Sequence, residues 1–154
     1  MQRHGWTLLF HGCLIDQLRN LHRAVDRAQR RDTIRSGSNA NVKLFHALSR
    51  LMLEVIPQDP SRAEYRQGNT LGPRHRRWRR AKIGRRFRLF FRFDAKAKVI
   101  VYAWVNDQST LRATGSRTDP YTVFAKMLAR GHPPGDWASL MMASKQDWQT
   151  EKQH

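Results

Sequence analysis

The sequence predicts an α+β domain in which helices pack on an antiparallel sheet, in the element order β-α-α-β-β-β-α. Two stretches of helical apolar spacing occur in the first third of the chain, and three strand-like segments follow one another between residues 78 and 105. The chain has 154 residues, 40% of them hydrophobic, which is enough to bury the core of one domain. We therefore expect a single domain over residues 1–154, with a core over about residues 5–144 and a polar tail over residues 145–154.

One strand and two helices are predicted in the N-terminal part of the chain. Residues 6–10 (WTLLF) are an apolar run that is typical of a strand. Apolar side chains then recur at helical spacing over residues 14–28 and again over residues 42–55, with Asn39 or Asn41 as the N-cap of the second helix. Two amphipathic helices in succession suggest an antiparallel hairpin that lies on the sheet.

Three strands are predicted to follow. Pro57 is expected to end the second helix, and residues 57–73 are expected to form a long ordered loop. The strand candidates are residues 78–83, 87–93 and 99–105, joined by two short turns. The last of them is apolar on both faces, so we expect it at the centre of the sheet.

The C-terminal part predicts two more helices. Asp119 followed by Pro120 is typical of a helix start, and Gly131 is typical of a helix end. A last short helix is expected over about residues 137–144. The chain beyond Gln146 is expected to fray.

The positive charge of the chain is concentrated in residues 74–98. The whole chain has 29 Lys and Arg against 12 Asp and Glu, a formal net charge of +17. Residues 74–98 hold twelve of these basic residues and one acid, which is a net charge of +11. So large an excess implies an anionic partner, which could be nucleic acid, an acidic protein or an anionic membrane surface.

Side-chain alternation gives the two faces of the strand at residues 87–93 different compositions. One face would carry Phe87, Leu89, Phe91 and Phe93, and the other would carry Arg88, Phe90 and Arg92. We expect the first face to be buried. The second face is expected to be an open floor, on which rigidly held arginines and one aromatic ring bind a polyanion.

The sequence disfavours secretion, membrane insertion and metal chemistry. Cys13 is the only cysteine, so no disulfide can form within the chain, and a reducing compartment is expected. No apolar run approaches the ~18 residues of a transmembrane helix, and the start of the chain does not resemble a signal peptide. The seven histidines are scattered, and HExxH, CxxC and glycine-rich phosphate loops are absent from the sequence. We expect a soluble cytoplasmic protein that uses no metal and no cofactor.

The residues permit metal-free cleavage of RNA. The 2′-OH of RNA can attack the adjacent phosphate, so a protein need only align the groups, move two protons and stabilise negative charge. Arginines suit the last task, and Lys82, which is crowded by arginines, is expected to have a lowered pKa and to act as a base. His75 and Tyr121 are further candidates for proton transfer, and Trp78 or Phe90 could stack on an unpaired base.

Several runs of the sequence resemble one toxin family over most of the chain, from about Gly5 to Ser144. These runs are GWTLLFHGCLIDQL, NANVKLF, AEYRQGNTLGP, WRRAKIGRRFRLFFRFDAKAKVIV, AWVND and DPYTVFAKML. They resemble the YhaV toxins of PrlF–YhaV type II toxin–antitoxin systems, within the RelE/ParE superfamily. The resemblance implies a RelE-like fold and an endoribonuclease that cuts mRNA. It also implies a PrlF-like antitoxin, similar to swapped-hairpin AbrB-type DNA-binding proteins, and a complex that represses its own operon.

The same resemblance implies positions for catalytic residues. In the superfamily a basic residue, a turn and an aromatic-Arg-Leu strand follow one another, which matches Lys82 and then Phe87-Arg88-Leu89 here. By this likeness Lys82 and Arg88 fall at catalytic-type positions, and Arg85 lies in the turn where a scissile phosphate could approach. Arg112 and Tyr121 are the nearest matches to an arginine after the last strand and a tyrosine near the C-terminal helix.

The predicted site keeps several alternatives open. Arg85 and Arg88 are predicted to stabilise the transition state. Lys82 or His75 is the predicted base, and Tyr121 or Arg112 is the predicted acid. Further predicted RNA contacts are Arg77, Trp78, Arg79, Arg80, Arg86, Phe90 and Arg92. The RNA could be free or could be mRNA on the ribosome. The toxin would reach operator DNA through the antitoxin. An acidic or apolar segment of the antitoxin would cover the basic sheet. Two other functions remain open: a ParE-like toxin that acts by protein binding, and a non-catalytic nucleic-acid-binding protein.

Overall fold

The computed structural model describes residues 1–148 and contains a six-stranded mixed sheet with helices on both faces. The strands are β1 (Gln2–Arg3), β2 (Trp6–His11), β3 (Arg79–Ile83), β4 (Phe87–Asp94), β5 (Val99–Val105) and β6 (Ser144–Lys145). The helices are α1 (Gly12–Arg31), α2 (Ala40–Arg50), α3 (Pro120–Ala129) and α4 (Trp137–Met142). The α+β class is therefore confirmed. Within residues 1–148, each helix is too short or too polar to cross a membrane.

The sheet has the strand order β1-β2-β5-β4-β3, and β6 also pairs with β2. Among the described strands β2 and β5 are parallel, and the other pairs are antiparallel. The expectation of a purely antiparallel sheet was wrong. The helices α1 and α2 carry the chain across to the far edge of the sheet, and the β3-β4-β5 meander then returns to β2 with β5 running in the same direction. β5 lies between β2 and β4, which confirms its predicted central position.

Each face of the sheet has its own apolar core. The core towards α1 and α2 includes Leu8, Phe10, Leu14, Leu18, Leu48, Met52, Phe91 and Tyr102. The core towards α3 and α4 includes Trp78, Phe90, Val101, Trp104, Phe124 and Leu140. β5 contributes to both cores, because Tyr102 belongs to the first whereas Val101 and Trp104 belong to the second. The sheet is thus covered on both sides.

Phe90 lies inside the second core, which corrects the expected open floor. Its ring is fully buried and stacks on Phe124 with 4.4 Å between the ring centroids. Arg88 and Arg92 flank it on β4 and are each only 7% exposed. The predicted alternation of side chains along β4 is confirmed, but α3 and α4 cover the face that was expected to be open. Its arginines lie at the rim of a packed core.

Polar side chains cap the second and third helices. Asn39 caps α2, because its side-chain oxygen accepts hydrogen bonds from two backbone N–H groups of the first turn. This decides between the two predicted caps. α2 continues through a π turn and a 3₁₀ turn to Gln58, one residue beyond the predicted end at Pro57. Asp119 caps α3, as predicted, and accepts from the backbone N–H of Tyr121.

The C-terminal tail is ordered further than the sequence predicted. Ser144–Lys145 pairs with β2, and the Trp148 ring packs edge-on against Phe45 and His22. Trp148 is 6% exposed, so the expected fraying beyond Gln146 is wrong for this residue. The rest of the predicted tail, residues 149–154, lies outside the described residues.

His11 caps α1, and this cap makes the stability of the fold depend on pH. Its Nδ1 atom accepts a hydrogen bond from the Cys13 backbone N–H at 3.1 Å, and the residue is 6% exposed. Burial, and then the nearby His132, lower the pKa of His11 below its usual value of 6.5. Protonation would place a hydrogen on Nδ1 and so remove the cap.

We expect the protein to lose stability as the pH falls through about 6.5, because the unfolded chain then binds a proton that folded His11 does not. The loss is at most about 1.4 kcal/mol per pH unit. Urea unfolding at about pH 7.5 and about pH 5.5 measures it, with His11→Asn as the comparison, since asparagine caps helices without titrating. The variant should lose less stability than the native chain on acidification. Equal losses in both proteins would contradict this role of His11.

Candidate active site

The β3–β4 hairpin aligns basic side chains on the face that α3 covers. Lys82 pairs with Arg88, and Arg80 pairs with Phe90, in the antiparallel register. Side chains of directly opposed residues lie on the same face of a sheet. Arg80, Lys82 and Arg88 therefore share the face of Phe90, whose ring packs against Phe124 of α3.

Tyr121, in the first turn of α3, connects these arginines. Its hydroxyl oxygen accepts hydrogen bonds from Nε of Arg80 at 2.7 Å and from Nε of Arg88 at 3.3 Å. The guanidinium of Arg112 packs on the Tyr121 ring, 4.7 Å from its centroid. We call these four residues the arginine–tyrosine cluster. It holds three cations around one phenol.

Arg88 is fixed by backbone groups as well as by Tyr121. Its Nη1 atom donates to the carbonyl oxygens of Arg85 at 3.1 Å and of Phe87 at 2.9 Å. Its backbone N–H donates to Oδ1 of Asn106 at 2.6 Å. The two bonds from Nη1 hold the guanidinium against the turn between β3 and β4, so its charge has a defined position.

The loop after β5 holds Arg112 and Tyr121 in place. The buried Asp119 carboxylate accepts from Nη1 of Arg112 and from the backbone N–H groups of Ala113 and Tyr121. The backbone N–H of Arg112 donates to the carbonyl oxygen of Arg86 at 3.1 Å. One carboxylate thus caps α3 and also positions an arginine over the ring of the tyrosine.

The arginine–tyrosine cluster can move a proton beside fixed positive charge. A phenol oxygen has two lone pairs, and in Tyr121 two arginines use both, so the hydroxyl proton remains to be donated. Arg88 and Tyr121 are 7% and 6% exposed, whereas Lys82 and Arg85 are exposed. The buried pair forms the floor of the site and the exposed pair its solvent side.

Within residues 1–148, no three His, Cys, Asp or Glu side chains are grouped so that they could hold a metal ion.

Five of the six predicted catalytic residues come together, and His75 does not. Lys82, Arg85, Arg88, Arg112 and Tyr121 belong to the arginine–tyrosine cluster or border it. His75 lines a cavity with Arg92 at the other end of β4. Burial, and then Arg74 and Arg92, lower the pKa of His75. Five of the residues that line this cavity form a second group, which we call the Arg92 cluster: His75, Arg77, Trp78, Arg92 and Trp137. Four residues of strand, about 13 Å, separate Arg88 from Arg92.

The two aromatic residues predicted to stack on a base are buried. Trp78 is 1% exposed and Phe90 is fully buried, both in the core under α3 and α4. The prediction that either ring stacks on an unpaired base is therefore wrong for the folded chain. The other predicted RNA contacts comprise the exposed Arg77 and Arg86, the partly buried Arg79 and Arg80, and the buried Arg92. Arg79 lies 5.4 Å from the centroid of the Phe93 ring.

Sequence reasoning missed how the arginine–tyrosine cluster is supported. Arg80 was expected only to contact RNA, yet it makes the shorter of the two hydrogen bonds to Tyr121. Asp119 was expected only to cap a helix, although in a chain with few acids its position seven residues after Arg112 marks it as a candidate ion-pair partner. No sequence signal identifies Asn106 as the acceptor for the backbone of Arg88.

Comparisons with known proteins identify the family. A family model described as a toxin with endonuclease activity, of a toxin–antitoxin system, matches residues 8–145. The chain is 41% identical over 139 residues to the Ribonuclease toxin YhaV of Escherichia coli strain K12, which covers 89% of this chain and 90% of the relative. It is 40% identical over 145 residues to Toxin YhaV of Escherichia coli O6:H1 (strain CFT073), which covers 93% and 94%. No solved structure gives a significant match. The chain therefore belongs to the YhaV family of toxins with endonuclease activity, and its toxin–antitoxin system implies an antitoxin as its partner.

Proposed function

We propose that this chain is a metal-independent endoribonuclease toxin whose catalytic centre is the arginine–tyrosine cluster. One observation carries the proposal: the Tyr121 hydroxyl accepts hydrogen bonds from Arg80 and Arg88, while Arg112 packs on its ring. A site that combines fixed cations with a transferable proton suits phosphoryl transfer. The name of one relative, a ribonuclease toxin, supports RNA as the substrate.

In the proposed mechanism the RNA supplies its own nucleophile. Lys82 takes the proton of the 2′-OH, and the 2′-oxygen forms a bond to the adjacent phosphorus. The P–O5′ bond breaks, and Tyr121 gives its proton to the leaving 5′-oxygen. The products are a 2′,3′-cyclic phosphate and a 5′-OH. Arg85 and Arg88 stabilise the negative charge that builds up on the other phosphate oxygens.

Position favours Lys82 over His75 as the base, and Tyr121 over Arg112 as the acid. Lys82 is paired with Arg88 across the hairpin, whereas His75 belongs to the Arg92 cluster about 13 Å along β4. Arg112 is paired with Asp119, and a guanidinium keeps its protons throughout the physiological pH range. Arg112 therefore contributes charge, and Tyr121 contributes the proton.

The proposal extends to the fold family and to the partners. We propose a RelE-like fold and a PrlF-like, AbrB-type antitoxin that covers the basic surface of the toxin. The net charge of +17 supports a covering segment that is acidic or apolar. In this proposal the toxin cuts RNA in the cytoplasm, either free or as mRNA on the ribosome. The complex binds operator DNA through the antitoxin and represses its own operon.

Analysis of the ends of cleaved RNA tests the proposal. The purified chain is incubated in EDTA with free RNA or with ribosome-engaged mRNA, and fragments with 2′,3′-cyclic phosphate and 5′-OH ends are expected. Arg85→Ala should slow cleavage by about tenfold, because an exposed guanidinium is partly screened by solvent and salt. Lys43→Ala, which removes an exposed positive charge from α2, is the matched control and should cleave normally.

Each other result has a distinct meaning. Loss of cleavage in EDTA, or fragments with 5′-phosphate ends, would contradict the metal-independent mechanism. Cleavage that requires ribosomes would locate part of the active site outside this chain. Tight binding to RNA that stays intact in both settings would leave a non-catalytic nucleic-acid-binding protein. Toxicity without RNA binding or cleavage would favour a ParE-like toxin that acts on a protein.

A further inference from the structure

Arg92 is a buried cation at the end of β4 opposite to Arg88. Its guanidinium lies between two indole rings, 5.8 Å from the centroid of Trp78 and 5.5 Å from that of Trp137. Its Nη1 atom donates to the carbonyl oxygen of Gly135 at 2.6 Å. Arg92 is 7% exposed, so the charge is held in one position and is not carried on a mobile surface side chain.

Two adjoining cavities border Arg92. The larger has a volume of about 370 Å³ and has Arg79 in its wall. The smaller has a volume of about 280 Å³ and has Trp78 in its wall. Arg77, Arg92 and Trp137 line both cavities. The pair of cavities therefore forms one concave surface lined mainly by basic and aromatic side chains, with one carboxylate in each cavity, Asp94 in the larger and Asp136 in the smaller.

Two buried donors in these walls lack a hydrogen-bond acceptor. Within residues 1–148, the indole Nε1 of Trp78 and the guanidinium Nε of Arg79 are buried and have no partner in the protein. Buried polar atoms are nearly always paired, so an unpaired donor indicates an acceptor that the chain does not supply. Both donors belong to residues that line the same pair of cavities.

The positive charge of these walls exceeds the negative charge, because Arg74, Arg77, Arg79 and Arg92 stand against Asp94 and Asp136. Arg77, Arg79 and Arg92 form no ion pair with any carboxylate in residues 1–148. Burial, and then Arg77, lower the pKa of Arg92, and Asp136 offsets this only in part. An anion in the cavities would relieve the repulsion between these guanidinium groups, and it would accept from the unpaired donors after a side-chain shift that exposes them.

We propose that the Arg92 cluster, together with Arg79, is a subsite for a further nucleotide of single-stranded RNA. A phosphate would bind between Arg77, Arg79 and Arg92, and a base would stack on Trp137, which is partly exposed, unlike Trp78. Cations, unpaired donors and an aromatic ring together match a nucleotide better than an acidic peptide, which offers no base to stack. This inference rests on the proposed function, because the same RNA strand is taken to run on from the arginine–tyrosine cluster.

The spacing of the two clusters suits one RNA strand. Arg88 and Arg92 lie about 13 Å apart along β4. At about 3.4 Å per stacked nucleotide, a strand covers this distance with at most about four nucleotides. The subsite therefore contacts RNA a few nucleotides from the bond that is cut, and it favours single-stranded substrates long enough to reach both clusters.

RNA binding by variants of Trp137 and Arg77 tests the subsite. Binding is measured with labelled single-stranded RNA in the Tyr121→Phe background, so that the RNA stays intact. Trp137→Ala should weaken binding by about tenfold, and Trp137→Phe, which keeps an aromatic ring, should restore most of the affinity. Arg77→Ala should reduce the slope of log K against log salt concentration by about 0.7, the value for one phosphate contact on a single strand. Arg76→Ala removes a neighbouring exposed arginine that lines neither cavity, and it should keep the slope.

Failure of this inference differs from failure of the proposed function. Native affinity in both Trp137→Ala and Arg77→Ala would overturn the subsite, whether or not the native chain cleaves RNA. If the native chain binds RNA without cutting it and the variants still lose affinity, the nuclease proposal fails and the subsite stands. Loss of antitoxin binding with unchanged RNA binding would overturn the RNA subsite in favour of a protein partner. Because Arg77 is exposed, Arg77→Ala decides the question even if Trp137→Ala fails to fold.

Discussion

Tyr121→Phe is expected to cleave RNA about 10²–10⁴-fold more slowly than the native chain, mainly through a lower kcat. The substitution removes the oxygen that accepts from Arg80 and Arg88 and that carries the proton for the leaving 5′-oxygen. The ring on which Arg112 packs is kept. Since Arg88 is buried, loss of its acceptor should also lower the free energy of unfolding by about 1–3 kcal/mol. Urea unfolding measures that cost separately from activity.

An RNA with sulfur in place of the bridging 5′-oxygen separates acid catalysis from positioning. A thiolate leaves without taking up a proton, so Tyr121→Phe should cleave this RNA nearly as fast as the native chain does. Equal slowing on both substrates would mean that Tyr121 only orients the arginines. Tyr102→Phe is the matched control. It removes another buried hydroxyl, which donates to the Met52 carbonyl oxygen at 2.6 Å, and it should keep native cleavage.

Local sequence patterns predicted the helices in which they occur. The apolar stripe of α1, the Asn39 cap of α2 and the Asp119–Pro120 start of α3 are each complete within a few residues. The central place of β5 was predictable too, because a strand that is apolar on both faces has to be covered on both faces. In each case the residues that determine the element lie within it or directly beside it.

Long-range pairing left no comparable signal in the sequence. The alternation of Arg88, Phe90 and Arg92 shows which side chains share a face, but it does not show that Phe124 packs on that face. Likewise, β6 is a strand of two residues that forms by pairing with the edge of β2, more than 130 residues earlier in the chain. The expected open floor was wrong for this reason, and so was the expected fraying at Trp148, whose ring packs against Phe45 and His22.

The candidate site likewise combines contacts that local sequence patterns predict with long-range contacts that they do not. Lys82 and Arg88 face each other because a short hairpin joins them, and that proximity follows from local pattern. Tyr121 lies 33 residues after Arg88, and the family resemblance, not spacing, predicted that the two belong to one site. His75 was chosen for its chemistry alone, and the fold separates it from the arginine–tyrosine cluster.

Arg88→Lys is expected to lower kcat by about 10²–10³-fold although it keeps the positive charge. Arg88 donates through Nε to Tyr121 and through Nη1 to the carbonyl oxygens of Arg85 and Phe87. A lysine ammonium is a point charge at the end of a flexible chain, so it cannot hold these directions and still present a planar fork to a phosphate. Arg50→Lys, at an exposed position at the end of α2 and outside both clusters, is the matched control and should retain native kcat.

The double variant Arg88→Lys/Tyr121→Phe shows whether the two residues act as one unit. They share a hydrogen bond in the buried floor of the site, so either single change should already remove most of the benefit of the pair. We therefore expect the double variant to be little slower than the slower single variant. Rate losses that multiply would mean that Arg88 binds phosphate independently of Tyr121, and that their hydrogen bond serves the fold and not the reaction.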